Sequence, residues 1–198
     1  MSEVNKPEMN TAVKCPFNPE QYKSNEIPFH GSFPWAMIQV YLGGRIHRSS
    51  WKTADDNVRL VSVPGFGPNL ERYDKKNGAS IWTPTQDDMV ECDWVRLKED
   101  NKPDISCPFN LGQYTLAVIM GSLPWALIQV FLGNKVHRKD WDVSDGYLYL
   151  SQKSEKPGGG EEIAQIEKMF KYGQSQSWTP TQGDLMACDW VLWKAGDR

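Results

Sequence analysis

The chain has 198 residues, of which 39% are hydrophobic and 24% charged, a composition typical of one ordinary folded domain or two small ones. Its 22 basic and 25 acidic residues give a net charge of −3, which argues against binding along DNA or RNA, because such binding requires a strongly basic surface. No run of 18 apolar residues and no apolar signal core is present, so we expect a soluble, cytoplasmic protein without membrane contact.

The first predicted element is a short helix over residues 34–42. It has proline at an early position, continues with good helix formers and ends before Gly43. Its apolar side chains fall on one stripe, so the helix is predicted to pack on a sheet through Trp35, Ile38 and Leu42.

Two strands are predicted after this helix, over residues 45–48 and 57–62. The second is predicted because its apolar residues alternate with period two, and residues 146–151 show the same alternation. These segments indicate a small antiparallel sheet.

Residues 83–86, Thr-Pro-Thr-Gln, predict the start of a second short helix. In the predicted capping box Thr83 is the N-cap, proline takes the first helical position, and Gln86 reaches back to the cap. Thr179 and Gln182 hold the same positions in a second copy of the motif. Closing strands are predicted over 92–97 and 188–193.

Most of the chain is a tandem repeat with an offset of about 90 residues, as expected for a duplicated domain. Eight of the nine tryptophans fall at matched positions, so the tryptophan content belongs to the repeated unit. The matched segments are Cys15–Tyr22 with Cys107–Tyr114, Phe33–Trp51 with Leu123–Trp141, and Trp82–Trp94 with Trp178–Trp190.

We therefore predict two domains, 1–97 and 105–198, joined by the charged linker 98–104. Each is predicted to be a small antiparallel β-sheet domain with a short helix packed on it, so the fold class is α+β. Segments 63–80 and 152–176 differ in sequence and in length, and we expect them to differ in shape. The two halves then need not bind a ligand identically.

The cysteines and histidines do not predict a metal site. No Cys-x-x-Cys pair is present, the histidines do not flank the cysteines, and a reducing compartment disfavours disulfides. We expect no metal and no cofactor. The residues concerned are Cys15, Cys92, Cys107, Cys188, His30, His47 and His137.

The order of the motifs resembles a known family. A short helix ending in glycine, a basic strand ending in Arg-x-x-Trp, and the signature Trp-x-Pro-x-Gln-x-Asp-x-x-x-x-Asp-Trp occur in both copies, over 33–97 and 123–193. They resemble the phage anti-defence sponge family that blocks Thoeris immunity. The resemblance implies a non-enzymatic protein that sequesters signalling nucleotides, namely cyclic ADP-ribose isomers and in some members cyclic dinucleotides. It also implies single domains that form homo-oligomers with pockets between protomers, whereas here two domains are fused.

The repeated arginines and tryptophans are the first candidate ligand-binding residues. Arg48 and Arg138 each lie three residues before a tryptophan, Trp51 or Trp141. Arginine offers a planar fork for phosphate oxygens, and tryptophan offers a face for a purine. The alternative is structural: the arginine pairs with a carboxylate and the tryptophan fills the core.

The closing signature supplies the remaining candidates. The predicted helix starts offer free N–H groups to a pyrophosphate, and the aspartates before the closing tryptophans offer a hydrogen bond to a ribose hydroxyl. The alternatives are a hydrophobic staple at the cap and satisfaction of local backbone donors. These candidates are Trp82, Thr83, Gln86 and Asp93 in the first copy, and Trp178, Thr179, Gln182 and Asp189 in the second.

No common nucleophile or phosphate-loop motif is present, and two repeated acids per copy make a poor metal site, so we expect no catalytic residue. The predicted function is sequestration of a cyclic ADP-ribose isomer or cyclic oligonucleotide by a homodimer in the host cytoplasm, which inhibits anti-phage signalling. The alternatives are a phosphodiesterase-like enzyme and a phage protein-interaction or structural module.

Overall fold

The computed structural model describes residues 30–53, 55–63, 65, 67–97, 118–142, 145–154 and 162–194. The predicted linker 98–104 and both Cys-Pro-Phe-Asn segments, which begin at Cys15 and Cys107, lie outside these residues. What the sequence suggests about them stays a prediction.

Within the described residues, each repeat contains the same series of helices and strands. The first repeat has α1 Phe33–Tyr41, β1 Arg45–Arg48, β2 Asn57–Val63, β3 Gly67–Asp74, β4 Gly78–Ile81, α2 Gln86–Val90 and β5 Trp94–Leu97. The second has α3 Leu123–Phe131, β6 Val136–Arg138, β7 Tyr147–Ser154, β8 Glu162–Met169, β9 Ser175–Ser177, α4 Gln182–Leu185 and β10 Trp190–Leu192.

Each repeat forms one antiparallel sheet of five strands with short helices. The strand order is β4-β3-β2-β1-β5 in the first sheet and β9-β8-β7-β6-β10 in the second, so the two sheets have the same topology. The predicted α+β fold class, with two similar domains, is confirmed. The predicted domain limits, 1–97 and 105–198, remain a prediction.

The expectation that segments 63–80 and 152–176 differ in shape is wrong for most of their length. Both supply the same two strands, β3 and β4 or β8 and β9. Leu60 pairs with Leu70, and Leu150 pairs with Ile166, so the extra residues of the second copy lengthen the β7–β8 hairpin at its turn end. The alternation of inward and outward side chains, rather than sequence identity, preserves the strands.

Helix α1 forms where the sequence predicts it. The Ser32 side chain accepts a hydrogen bond from the Trp35 backbone N–H at 3.4 Å, and the proline near the helix start needs no donor there. The chain leaves the helix through Gly43, whose φ of +82° is the left-handed conformation that favours glycine. Trp35 and its counterpart Trp125 are half-buried and pack against the core.

The predicted capping boxes start two residues too early. Thr85 is the N-cap of α2: its hydroxyl accepts from the Asp88 N–H at 3.2 Å, and the Asp88 carboxylate accepts from the Thr85 N–H at 2.9 Å. Thr181 and Asp184 repeat this arrangement in α4. A carboxylate satisfies helix-start N–H groups better than an amide, because it also interacts favourably with the helix dipole. Gln86, and likewise its counterpart in α4, is therefore not part of the box.

The two repeats share one hydrophobic core. Trp94 and Trp190 are each 1% exposed, and each packs edge-on against a second buried tryptophan, Trp82 or Trp178, at about 6 Å. Helix α1 packs against α3, and the Tyr41 hydroxyl donates to the carbonyl of Leu185 in the other repeat. The halves thus fold against each other rather than standing apart.

A glutamine from the first repeat inserts into the sheet of the second. The Trp178 N–H donates to the Ile166 carbonyl at 2.9 Å, but the reciprocal backbone bond is replaced by the Gln86 amide. The Ile166 N–H donates to Gln86 Oε1 at 2.9 Å, and Gln86 Nε2 donates to the Trp178 carbonyl. The side chain therefore takes the place of a missing strand-to-strand contact.

A glutamine of the second repeat makes the same contact to the sheet of the first. The Leu70 N–H donates to Gln182 Oε1 at 2.8 Å, and Gln182 Nε2 donates to the Trp82 carbonyl at 2.6 Å. We call this pair of contacts, made by Gln86 and Gln182, the glutamine exchange. It satisfies backbone groups that would otherwise be buried without partners when the repeats dock.

No helix in the described part of the chain is both long enough and apolar enough to cross a membrane.

Replacing Gln86 with leucine should lower the free energy of unfolding by about 1–3 kcal/mol, because an N–H and a carbonyl of the second repeat lose their partner. Urea unfolding followed by tryptophan fluorescence measures this change. Gln176→Leu, on an exposed part of strand β9, is the matched control and should change stability by less than about 0.5 kcal/mol. Equal destabilisation by the two variants would contradict a structural role for the exchange.

Candidate functional site

Arg48 lies at the end of β1 and is held by two carboxylates. Its Nε donates to Asp93 Oδ1 at 2.7 Å, and its Nη1 donates to Asp88 Oδ1 at 3.2 Å. The Arg48 side chain is only 11% exposed. The structural alternative, in which the arginine pairs with a carboxylate, describes this geometry; direct contact with a phosphate stays a prediction.

Arg138 repeats the arrangement in the second sheet. Its Nε donates to Asp189 Oδ1 at 2.9 Å and its Nη1 donates to Asp184 Oδ1 at 3.1 Å. An added, exposed partner is Asp140, at 3.4 Å from Nη2. Both arginines thus link the end of a strand to the start of the short capped helix.

The charges in these networks stabilise each other. Burial opposes the charged form of Arg48, but the hydrogen bonds and charges of Asp93 and Asp88 outweigh it, so the pKa of Arg48 is raised. Burial also works against ionised Asp93, and its hydrogen bonds from Arg48 and Ser50 outweigh that effect and lower its pKa. The pKa of Asp189 is lowered in the same way, since Asp140 N–H and Arg138 outweigh burial.

Asp93 also builds the turn that presents Trp51. Its carboxylate accepts from the Ser50 N–H at 3.1 Å and its carbonyl accepts from the Ser49 N–H at 3.0 Å. The Trp51 N–H closes the turn onto the Arg48 carbonyl at 3.0 Å. The carboxylate therefore satisfies local backbone donors, and a bond from it to a ribose hydroxyl stays a prediction.

Trp51 carries a cation on its ring. The guanidinium carbon of Arg72, on β3, lies 4.0 Å from the centre of the Trp51 ring. Trp51 also meets the buried Trp94 in an edge-to-face contact at 5.6 Å. Sequence reasoning missed Arg72, because it lies in a segment with little identity between the copies; the period-two alternation around it was the available signal.

Beside this stack lies a cleft of about 560 Å³, which we call the Trp51 cleft. It opens between the Arg48–Trp51 turn, the β1–β2 connection and the β3–β4 turn. Its lining consists of Ser50, Trp51, Lys52, Thr53, Asp56, Arg72, Asp74, Lys75 and Lys76.

Cations outnumber carboxylates in the Trp51 cleft. Arg72 pairs with Asp56 at 3.4 Å, but its Nε is buried and has no hydrogen-bond partner among the described residues. Lys52 and Lys76 are exposed, and no ion pair holds either of them within the described ranges. The fourth cation, Lys75, pairs with an aspartate outside the lining, at 2.6 Å, while remaining 67% exposed. The cleft thus has donors and positive charge for an anion.

The other predicted site residues of the first repeat do not line this cleft. Trp82 is 6% exposed and packs in the core, Thr83 is exposed just before α2, and Gln86 contacts the second repeat. Trp178, Thr179 and Gln182 occupy the equivalent places. Among all the predicted residues, the structure therefore brings Trp51 alone to the lining, and a ligand contact for the others stays a prediction.

On the second repeat, a lysine takes the place of Arg72. Lys168 Nζ lies 3.9 Å from the centre of the Trp141 ring and 2.8 Å from Asp145 Oδ1. Within the residues that the structure describes, no three His, Cys, Asp or Glu side chains group together as metal ligands.

Arg48→Ala should lower the free energy of unfolding by roughly 3 kcal/mol, because two largely buried carboxylates lose their cation. Chemical denaturation measures the loss. The control is Lys75→Ala, which removes an exposed ion pair and should change stability little. A fully stable Arg48→Ala variant would show that this network does not support the fold.

The stability of the fold should also depend on pH. Because the pKa of Asp93 and that of Asp189 are lower in the folded chain, the stability they contribute is complete above the ordinary value of 3.8 and is lost as the pH falls through the lowered values. Thermal melts between pH 7 and pH 2 should show this decline as a falling melting temperature. The Asp93→Asn variant should have a lower melting temperature at pH 7, and that temperature should fall less steeply with pH. If the melting temperature of that variant fell as steeply with pH as that of the parent, Asp93 would be excluded as a source of the pH dependence.

Comparison with known proteins identifies the family. The profile of the Thoeris anti-defense 2-like (Tad2-like) domain matches residues 31–97 and again residues 121–193, which together cover well over half of the chain. A search of curated proteins finds no match. The two matched segments coincide with the two sheets described above, and they confirm both the resemblance and the tandem duplication. The chain belongs to the Thoeris anti-defense 2-like family, carries its domain twice, and has a role in anti-defence against Thoeris immunity.

Proposed function

We propose that this protein binds a nucleotide second messenger, a cyclic ADP-ribose isomer or a cyclic oligonucleotide, and sequesters it unchanged. Sequestration lowers the free messenger in the host cytoplasm and so inhibits anti-phage signalling. The observation that carries the proposal is the Trp51 cleft, a cationic recess beside a stacked tryptophan in a family with an anti-defence role.

The size and charge of the cleft support this class of ligand. About 560 Å³ lies within the range of small-molecule pockets. Cyclic nucleotide messengers carry phosphates, and hydrogen bonds between phosphate and arginine or lysine are among the stronger polar contacts in proteins. Arg72 and Lys75 are placed to bind phosphate oxygens, with Lys52 and Lys76 adding charge at the rim.

The Trp51–Arg72 stack supports binding of a base as well. The ring and the guanidinium already lie against each other, and the Arg72 side chain is still 33% exposed. Nucleobases stack on arginine as well as on aromatic rings. A purine can therefore extend the stack into the cleft without moving the core tryptophan Trp94 behind it.

Two other functions remain as alternatives: a phosphodiesterase-like enzyme and a protein-interaction module. Hydrolysis needs free acids or a metal near the phosphate. The two acids of the cleft lining are already engaged, since Asp56 pairs with Arg72 and Asp74 accepts hydrogen bonds from the backbone of the β3–β4 turn. The repeated acids Asp88 and Asp93 are held by Arg48 outside the lining. An interaction module would need no small-molecule pocket. Sequestration needs only a cleft that binds the ligand, with no catalytic group.

The direct test incubates the pure protein with cyclic ADP-ribose isomers and cyclic dinucleotides, removes free ligand, denatures the protein and identifies what is released. Release of intact ligand supports sequestration. Altered ligand would indicate an enzyme, and release of nothing would favour an interaction module.

Arg72→Ala should weaken binding of the retained nucleotide about tenfold to hundredfold, because a charge-assisted contact to phosphate contributes roughly 1.5–3 kcal/mol. Calorimetry measures the loss. Lys171→Ala, which removes an exposed cation from the second repeat, is the control and should leave the affinity unchanged. Equal affinity in the Arg72 variant and the parent would remove the Trp51 cleft from the proposal.

We also propose that two chains associate as a homodimer. Fusion raises the effective concentration of the second repeat, so the docked pair within one chain can replace a dimer of single domains. A larger family assembly would then need two chains joined by a two-fold interface. Light scattering should give twice the 22.6 kDa of one chain, whereas 22.6 kDa with ligand still bound would contradict the dimer.

A further inference from the structure

We infer that anion recognition is confined to the first repeat, and that the second repeat has become a positioning partner that holds the strand carrying Arg72. This inference rests on the proposed function and deepens it, since it sets one ligand per chain and assigns different tasks to the two halves.

The two repeats offer equivalent positions for comparison. Arg72 and Lys168 occupy the same register of the β2–β3 and β7–β8 hairpins, opposite Val58 and Leu148. Each cation lies over the ring of the tryptophan that follows the Arg-x-x-Trp turn, at 4.0 Å in the first repeat and 3.9 Å in the second. Differences around these two cations therefore reflect sequence rather than fold.

The residues around the second stack are less favourable for an anion than those around the first. A serine and a lysine of the Trp51 cleft are replaced by two aspartates, and another lysine and an aspartate by aromatic residues. Two cations are lost, whereas the two carboxylates gained replace two that are lost, so the formal charge of the lining positions falls from +2 around Trp51 to zero around Trp141 and a phosphate is attracted less strongly. The corresponding pairs are Ser50 and Asp140, Lys52 and Asp142, Asp74 and Phe170, and Lys76 and Tyr172.

The central cation of the second repeat is also less available. Lys168 is 13% exposed, is paired with Asp145 at 2.8 Å, and lies between the rings of Trp141 and Phe170. Arg72 is 33% exposed, and its ion pair with Asp56 is longer, at 3.4 Å. A ligand can reach Arg72, whereas Lys168 is committed to internal contacts.

The second repeat contributes to the site through the glutamine exchange. Gln182 accepts from the Leu70 N–H at 2.8 Å, and Leu70 lies two residues before Arg72 on the same face of β3. Its Nε2 also holds the Trp82 carbonyl at the end of β4. Gln182 thus fixes the strand pair whose turn carries Lys75 and Lys76. Gln86 makes the equivalent contact to the second sheet, away from the Trp51 cleft.

The test titrates inorganic pyrophosphate into the full chain by isothermal calorimetry. We expect one pyrophosphate per chain, at least tenfold weaker binding in Arg72→Gln, and less than a twofold change in the matched variant Lys168→Gln. Two equivalents per chain, equal losses in the two variants, or no binding at millimolar pyrophosphate would overturn the inference.

The positioning role is tested by a second matched pair, Gln182→Leu and Gln86→Leu, titrated at a temperature at which both variants are folded. The two substitutions remove equivalent contacts and should destabilise the chain similarly. Pyrophosphate binding should weaken severalfold in Gln182→Leu and less than twofold in Gln86→Leu. Equal effects on binding would show that Gln182 is merely structural.

The outcomes separate this inference from the proposed function. If pyrophosphate binds once per chain through Arg72 but no cyclic nucleotide is retained, the proposed function fails and the confined anion site stands. If an intact cyclic nucleotide is retained with two equivalents per chain, the proposed function stands and the confinement fails.

Discussion

The fold of this chain depends on two glutamine amides that cross between its halves. Gln86 and Gln182 each complete a pair of backbone hydrogen bonds in the other repeat's sheet, at the point where one strand leaves its neighbour. Because buried N–H and carbonyl groups must be paired, this exchange favours docking of the two repeats and also specifies their relative position. The tryptophans, by contrast, supply apolar area that tolerates many arrangements. The shared core is thus oriented by polar contacts at its edge.

A second constraint connects this core to the surface. Arg48 joins the end of β1 to the capped helix start at Asp88 and to Asp93, and Asp93 in turn holds the backbone of the turn that ends at Trp51. The residues that looked most suited to bind phosphate are therefore used to position the tryptophan beside the cleft. The cations that line the cleft come instead from β3 and from the neighbouring turns, where the two copies have diverged. Duplication has preserved the framework and left the surface around it free to change.

The sequence predicts the framework well because its signals are local. Helix α1, strand β1 and strand β2 follow from a capped start, a terminal glycine and period-two alternation. The capping box was misplaced because Thr-Pro-Thr offers two possible caps, and only the structure shows Asp88, rather than Gln86, bonded to Thr85. The exchange of glutamines could not be predicted, since it joins residues about 100 positions apart. Arg72 could not be selected from the repeat, because it lies in segment 63–80, where the two copies differ in sequence and in length.

The central proposal is that the Trp51 cleft of the first repeat holds an intact nucleotide messenger. A crystal structure of the full chain grown with the nucleotide that it retains tests this most directly. We predict the unbroken ligand in the Trp51 cleft, with phosphate oxygens within hydrogen-bond distance of Arg72 and a base against the Trp51–Arg72 stack. A ligand bound at Trp141 or outside both repeats, or a cleaved product in the cleft, would contradict the account.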